Sequence, residues 1–171
     1  DVEERARRSL VRIQGLLGGD AVRIPVLSGG RGPAERITMV SLGDEPVPRR
    51  DPSAPWPGRL PQPSPTVLVE TAIHVLDAVG QPVKVTDRGA FTAEPVTVAL
   101  ASSPARRSSW GLCWWAGPWP VGGADRPAGA SVPTGAAETG LTARAQVLLD
   151  DSRALLLCYR AGEWIVEGVY E

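Results

Sequence analysis

The residues of this chain that could carry acid–base, nucleophilic or metal chemistry are few and widely spaced. The single histidine, His74, has no acidic residue or cysteine directly beside it. Zinc needs several cysteine or histidine ligands at close spacing, and Cys113 and Cys158 stand alone in the sequence. No Gly-x-Ser-x-Gly motif is present to expose a nucleophilic serine. We therefore expect no catalytic triad, no metal site and no cofactor.

An acidic pair, a glycine-rich turn and the two cysteines could each serve chemistry, but we interpret all three as structural. Asp150 and Asp151 could hold magnesium only with another carboxylate nearby, and aspartates are common in the turns between strands. The glycine-rich turn at residues 28–33 lacks the Lys-Ser/Thr pair of a P-loop and leads into a predicted strand. The two cysteines are interpreted as small buried apolar residues in strands. The sequence thus predicts a protein that is not an enzyme.

Tryptophan is unusually frequent among the aromatic residues of this chain. The chain has 6 Trp beside 1 Phe and 2 Tyr. Trp110, Trp114 and Trp115 lie in one predicted strand, and Trp119 follows at once. Because side chains alternate along a strand, Trp114 and Trp115 should face opposite sides of the sheet. Tryptophan packs in cores, dominates protein interfaces and stacks on unpaired bases, so three interpretations stay open.

Residues 1–42 are predicted to form a helix plus a β-hairpin. Apolar residues recur at helical spacing over residues 1–17, and alternating segments at 21–27 and 36–42 favour strands. Residues 43–66 are dense in proline, which excludes a helix or a central strand and predicts an extended arm. We expect Trp56 on this arm to pack against the domain that follows.

Residues 67–171 are predicted to form a small antiparallel β-barrel or sandwich, which makes the fold class α+β, mainly β. Turn signals separate short predicted strands at 73–76, 82–85, 95–100, 109–115, 141–149, 154–159 and 164–170. Residues 116–120 are expected to end the strand that carries the tryptophans. Residues 122–140 are small and polar, and we predict a mobile loop there.

Five segments resemble the C-terminal region of ImuB-type proteins, which are actinobacterial homologues of Y-family DNA polymerases. They are residues 14–18 (QGLLG), 29–36 (GGRGPAER), 55–65 (PWPGRLPQPSP), 115–121 (WAGPWPV) and 164–171 (WIVEGVYE). Their common order makes the resemblance span nearly the whole chain. Many relatives follow the fourth segment with an acidic, Trp-rich stretch, whereas this chain has Gly-Gly-Ala-Asp at 122–125.

The resemblance implies a catalytically inactive hub of the mutasome, the assembly that performs translesion synthesis in DNA-damage-induced SOS mutagenesis. It implies three partners: an ImuA-type RecA-like protein, an error-prone C-family DNA polymerase and the sliding clamp. Residues 14–17 have residue types suited to a clamp motif but lie on the predicted helix, and clamp peptides bind in extended form. We therefore expect the clamp motif upstream of residue 1.

We predict a non-catalytic protein–protein interaction region that binds through Trp56, Arg59, Trp114, Trp115 and Trp119. The alternative is a single-stranded DNA-binding β-barrel module. Residues 51–171 contain nine basic residues (eight Arg and Lys84) against twelve acidic ones, which disfavours a track for phosphates and predicts weak or absent DNA binding. No apolar run reaches membrane-spanning length and no signal peptide is recognisable, so we expect a cytoplasmic protein.

Overall fold

The computed structural model of the chain describes residues 2–56, 58–102, 108–121 and 141–170. The chain divides into two compact units, Asp1–Leu60 and Pro61–Glu171. The fold class predicted from the sequence is confirmed, with an N-terminal helix and hairpin followed by an antiparallel β structure. The loop predicted at residues 122–140 lies outside the described residues.

The first unit contains helix α1 (Val2–Leu17) and a two-stranded antiparallel sheet of β1 (Arg23–Leu27) and β2 (Ile37–Ser41). Two glutamates in the first turn of α1 interact favourably with the helix dipole, and the helix ends before Gly18. Pro25 is tolerated in β1 because both strands of a two-stranded sheet are edges. The predicted helix and hairpin are confirmed.

The proline-dense segment is divided between the two units. The Gly29 N–H donates to the Arg50 carbonyl at 3.0 Å, and the Leu60 N–H donates to the Arg31 carbonyl at 3.0 Å. Leu60 is buried, so residues 43–60 fold onto the first unit, where the sequence predicts a separate arm over 43–66. Farther along, the Thr66 N–H donates to the Val169 carbonyl at 2.9 Å within the second unit.

The second unit is a closed antiparallel barrel in which each strand pairs with its neighbour in sequence and the first pairs with the last. Its strands are β3 (Val67–Leu76), β4 (Thr97–Leu100), β5 (Ser109–Val121), β6 (Thr142–Leu149), β7 (Ala154–Arg160) and β8 (Glu163–Tyr170). Of the two predicted architectures, barrel or sandwich, the barrel is therefore the one observed. The strand predicted at 82–85 is reduced to two isolated bridges, Leu76 to Pro82 and Val85 to Phe91.

The barrel core is built from alternate residues of the strands. Val147 and Leu149 of β6 point inward with Leu155 and Leu157 of β7, and all four are at least 94% buried. Trp164 lies among them, and its Nε1–H donates to the Val83 carbonyl at 2.9 Å. Complete burial of each of these valine and leucine side chains contributes about 1.5–3 kcal/mol, so the core supplies much of the stability of the barrel.

Candidate functional site

The register of β5 against β6 decides where the tryptophans point. Leu112 pairs with Leu149 and therefore faces the core. The register shifts between Leu112 and Trp114, so that Cys113 is an extra residue and the alternation reverses. Trp114 then pairs with Leu148 and points to the outside of the barrel. Trp115 pairs with Val147 and points inward. The two tryptophans face opposite sides, in agreement with the sequence.

A second irregularity lies between Ala116 and Trp119, after which β5 continues to Val121. The prediction that the strand ends over residues 116–120 is therefore wrong. Pro118 falls in the irregularity, where its missing N–H costs no ladder hydrogen bond, and Gly117 takes a φ of 102°. After the irregularity Trp119 pairs with Arg144, which places it on the outside of the barrel with Trp114.

We call this outer surface the tryptophan face. It consists of Trp114, Ala116 and Trp119 of β5 with Arg144, Gln146 and Leu148 of β6. The side chains of Trp114 and Trp119 are 54% and 42% exposed, a large apolar exposure for two residues on one strand.

Two polar contacts, which we call the polar frame, join β6 of the tryptophan face to β8. The Arg144 guanidinium donates from Nε and Nη2 to the two carboxylate oxygens of Glu167, at 2.7 and 3.0 Å. Both side chains are largely buried, at 7% and 17% exposure. The Gln146 amide donates to the Tyr170 hydroxyl at 2.8 Å. The face is thus tied to β8 and is pre-organised for contact with another molecule.

Gly117→Ala is expected to destabilise the barrel by about 3 kcal/mol, because a methyl group there combines a positive φ with a steric clash. A Cβ on Gly117 would lie 2.9 Å from the Arg144 carbonyl oxygen. Gly80 is the matched control, since its φ is 79° but its Cβ would meet nothing within 4 Å. Gly80→Ala should cost about 1 kcal/mol in urea unfolding. Equal losses for the two variants would contradict the role assigned to the close approach at Gly117.

Trp115 lines a separate, shallow groove on the barrel of about 620 Å³, which we call the aromatic groove. Its other lining residues include Phe91, Glu94 and Pro118. Phe91 meets the Trp115 ring edge-to-face with centroids 5.1 Å apart, and its other neighbour is Trp164, at 5.9 Å. This aromatic series connects the groove to the core, so Trp115 is held in one orientation.

Trp56 and Arg59 lie in the first unit, so the five predicted binding residues are divided between the two units. The Trp56 Nε1–H donates to the Asp51 carbonyl at 3.1 Å, and the Arg50 guanidinium lies 5.7 Å from the centre of the Trp56 ring. The ring fits here because Gly29 has no Cβ; one would lie 2.5 Å from Nε1. These contacts hold Trp56 within the first unit.

The acidic pair at the β6–β7 turn has structural roles. The Gly111 N–H donates to the Asp150 carboxylate at 3.0 Å. Asp151 pairs with Arg153 at 2.6 Å, and the hydrogen bond from Arg153 lowers the pKa of Asp151. The Arg153 guanidinium also lies 4.6 Å from the centre of the Trp110 ring. Both aspartates are therefore engaged in holding the turn against β5.

The remaining chemistry-bearing residues are dispersed. His74 is exposed on β3 opposite Ala99. Cys158 is buried as predicted, but Cys113 is exposed, because it is the extra residue of the first irregularity in β5. Among the described residues, no group of three or more His, Cys, Asp and Glu side chains is placed to hold a metal ion.

The chain matches no protein-family model, no curated protein and no solved structure. Across the described ranges, none of the helices combines the length and apolar character needed to cross a membrane.

Sequence reasoning missed the polar frame and the groove. Arg144 and Glu167 are 23 residues apart and meet only because β6 and β8 flank β7. Phe91 and Glu94 lie in an irregular stretch, where no hydrophobic periodicity predicts which side chains face each other. The one signal that could have found Arg144 is alternation, since its neighbours Ala143 and Ala145 are the apolar, inward residues.

Proposed function

We propose that this chain is a non-catalytic protein–protein interaction region that docks its partner on the tryptophan face. The observation that carries the proposal is the exposure of Trp114 and Trp119, at 54% and 42%, on a sheet fixed by buried contacts. Tryptophan contributes more binding energy than most residues when a partner buries it, and rigid strands present it at little cost in conformational entropy.

The partner is proposed from the resemblance to ImuB-type proteins. In this proposal the chain belongs to a cytoplasmic translesion-synthesis adaptor. It binds an ImuA-type RecA-like protein or an error-prone C-family DNA polymerase, and a motif upstream of residue 1 binds the sliding clamp. Two of the resembling segments support the location of the site. Residues 115–121 form the end of β5, including Trp119, and residues 164–170 fall within β8, which carries Glu167.

The charge of the barrel favours a protein partner over single-stranded DNA. Arg144, Arg153 and Arg160 each pair with a carboxylate, so three of its basic groups are neutralised within the unit. A track for phosphates would need several basic side chains in a row beside the stacking rings. The exposed indoles on a small barrel keep the DNA-binding module as the second candidate.

Calorimetric titration tests the proposal. The whole chain is titrated with the ImuA-type protein, with the C-family polymerase and with a single-stranded oligonucleotide, each at two temperatures and two salt concentrations. We expect binding to one of the proteins with a negative heat-capacity change, which marks burial of apolar surface. Binding to the oligonucleotide that weakens steeply with salt, without binding to either protein, would replace the proposal with the DNA-binding module.

A further inference from the structure

Two tryptophans of this chain are paired with an arginine that is itself paired with a carboxylate. Trp110 lies 4.6 Å from the Arg153 guanidinium, which forms an ion pair with Asp151 at 2.6 Å. In the first unit Trp56 lies 5.7 Å from the Arg50 guanidinium, which pairs with Glu35 at 3.3 Å. The combination recurs because a planar guanidinium can stack on an indole and still donate hydrogen bonds to a carboxylate.

The aromatic groove contains two members of such a combination. Trp115 supplies a ring that is 37% exposed, and Glu94 supplies the only charged side chain among the described residues that line the groove. Glu94 is exposed, and it makes no ion pair with another residue in the described ranges. Among the described residues, Glu94 is therefore the charged group that a ligand in the groove would meet.

We propose that the aromatic groove receives an arginine side chain of the partner protein, with its guanidinium against Trp115 and hydrogen-bonded to Glu94. The inference rests on the proposed function, since it assigns the partner's chemistry at a groove that shares strand β5 with the tryptophan face. Arginine is preferred over lysine because its planar group can stack on the ring and present two N–H donors to one carboxylate. Phe91 holds the Trp115 ring in place through its edge-to-face contact.

Binding of arginine in the groove can be measured without the partner by nuclear magnetic resonance on the whole chain. The probes are Nα-acetyl-arginine amide and Nα-acetyl-citrulline amide, which has nearly the same shape but no charge. The indole N–H resonance of Trp115, assigned with Trp115→Phe, should shift saturably with the arginine probe and not with the citrulline probe. No shift, or equal shifts with both probes, would overturn the proposal.

Glu94→Gln provides the residue-level test, and Glu163→Gln is its control. Glu163 is also exposed on the barrel but does not line the groove. Glu94→Gln should weaken binding of the arginine probe and of the partner about fivefold, as expected for one exposed ion pair. Glu163→Gln should leave both affinities unchanged.

Different results would overturn the docking function and the arginine site in the aromatic groove. Unchanged partner affinity in Glu94→Gln, with binding to the wild-type protein intact, would overturn the groove and leave the docking function standing. Absence of any partner binding to the wild-type protein would overturn the docking function, whatever the arginine probe does.

Discussion

Replacing both Trp114 and Trp119 with alanine is expected to abolish measurable binding of the protein partner while the barrel stays folded. A buried interface tryptophan contributes about 2 kcal/mol or more, so losing two should weaken binding by about 1,000-fold. The fold should survive because both side chains point away from the core. Calorimetry measures the affinity, and circular dichroism with thermal unfolding checks the fold.

Leu68→Ala is the control for this pair of substitutions. Leu68 is 46% exposed on β3 of the same barrel, so its removal also takes apolar surface from the protein but leaves the tryptophan face intact. Its partner affinity should match that of the wild-type protein. If the double tryptophan variant bound its partner as tightly as Leu68→Ala does, the tryptophan face would not be the docking surface.

Arg144→Met is expected to destabilise the barrel by about 3 kcal/mol, because it leaves the Glu167 carboxylate largely buried without its counter-charge. The side chains of this pair are 7% and 17% exposed. Urea unfolding measures the loss, and Arg144→Met combined with Glu167→Met should recover most of it, since neither charge of the pair then remains. Because Arg144 pairs with Trp119, the single variant should also bind the partner less tightly.

Arg160→Met is the matched control for the buried pair. Arg160 of β7 also pairs with a glutamate on the strand beyond its neighbour, Glu70 of β3, but these side chains are 53% and 72% exposed. An exposed pair of this kind contributes less than about 1 kcal/mol. If Arg144→Met cost no more than Arg160→Met, the idea that a buried ion pair stabilises the tryptophan face would have to be abandoned.

Local pattern was enough to predict most of the strands and the helix. Alternation placed the closing strands within about two residues, and helical spacing placed α1. Alternation also indicated that one of Trp114 and Trp115 is on the outside. It could not say which, because the answer depends on the extra residue at Cys113, and such irregularities arise from pairing with β6 rather than from local propensity.

The fold of the proline-dense segment was harder to predict for a similar reason. Proline density excluded regular structure correctly, but the partner of Trp56 is Gly29, more than twenty residues earlier. The slot at Gly29 exists only after the first hairpin forms and residues 43–60 fold back onto it. The aromatic groove was hard to predict for the same reason. Phe91 contacts Trp115 of β5 and Trp164 of β8, which are brought together only in the folded barrel.

The indole N–H resonances of the tryptophans are the most direct probe of whether the outer face of β5 and β6 is a protein-docking surface. Partner is added to the isotopically labelled whole chain, with the resonances assigned by single Trp→Phe variants. If the tryptophan face is the docking surface, the resonances of Trp114 and Trp119 will shift or broaden, whereas that of Trp164 in the core will not. Perturbation confined to Trp56 in the first unit, with both resonances of the tryptophan face unchanged at saturating partner, would contradict it.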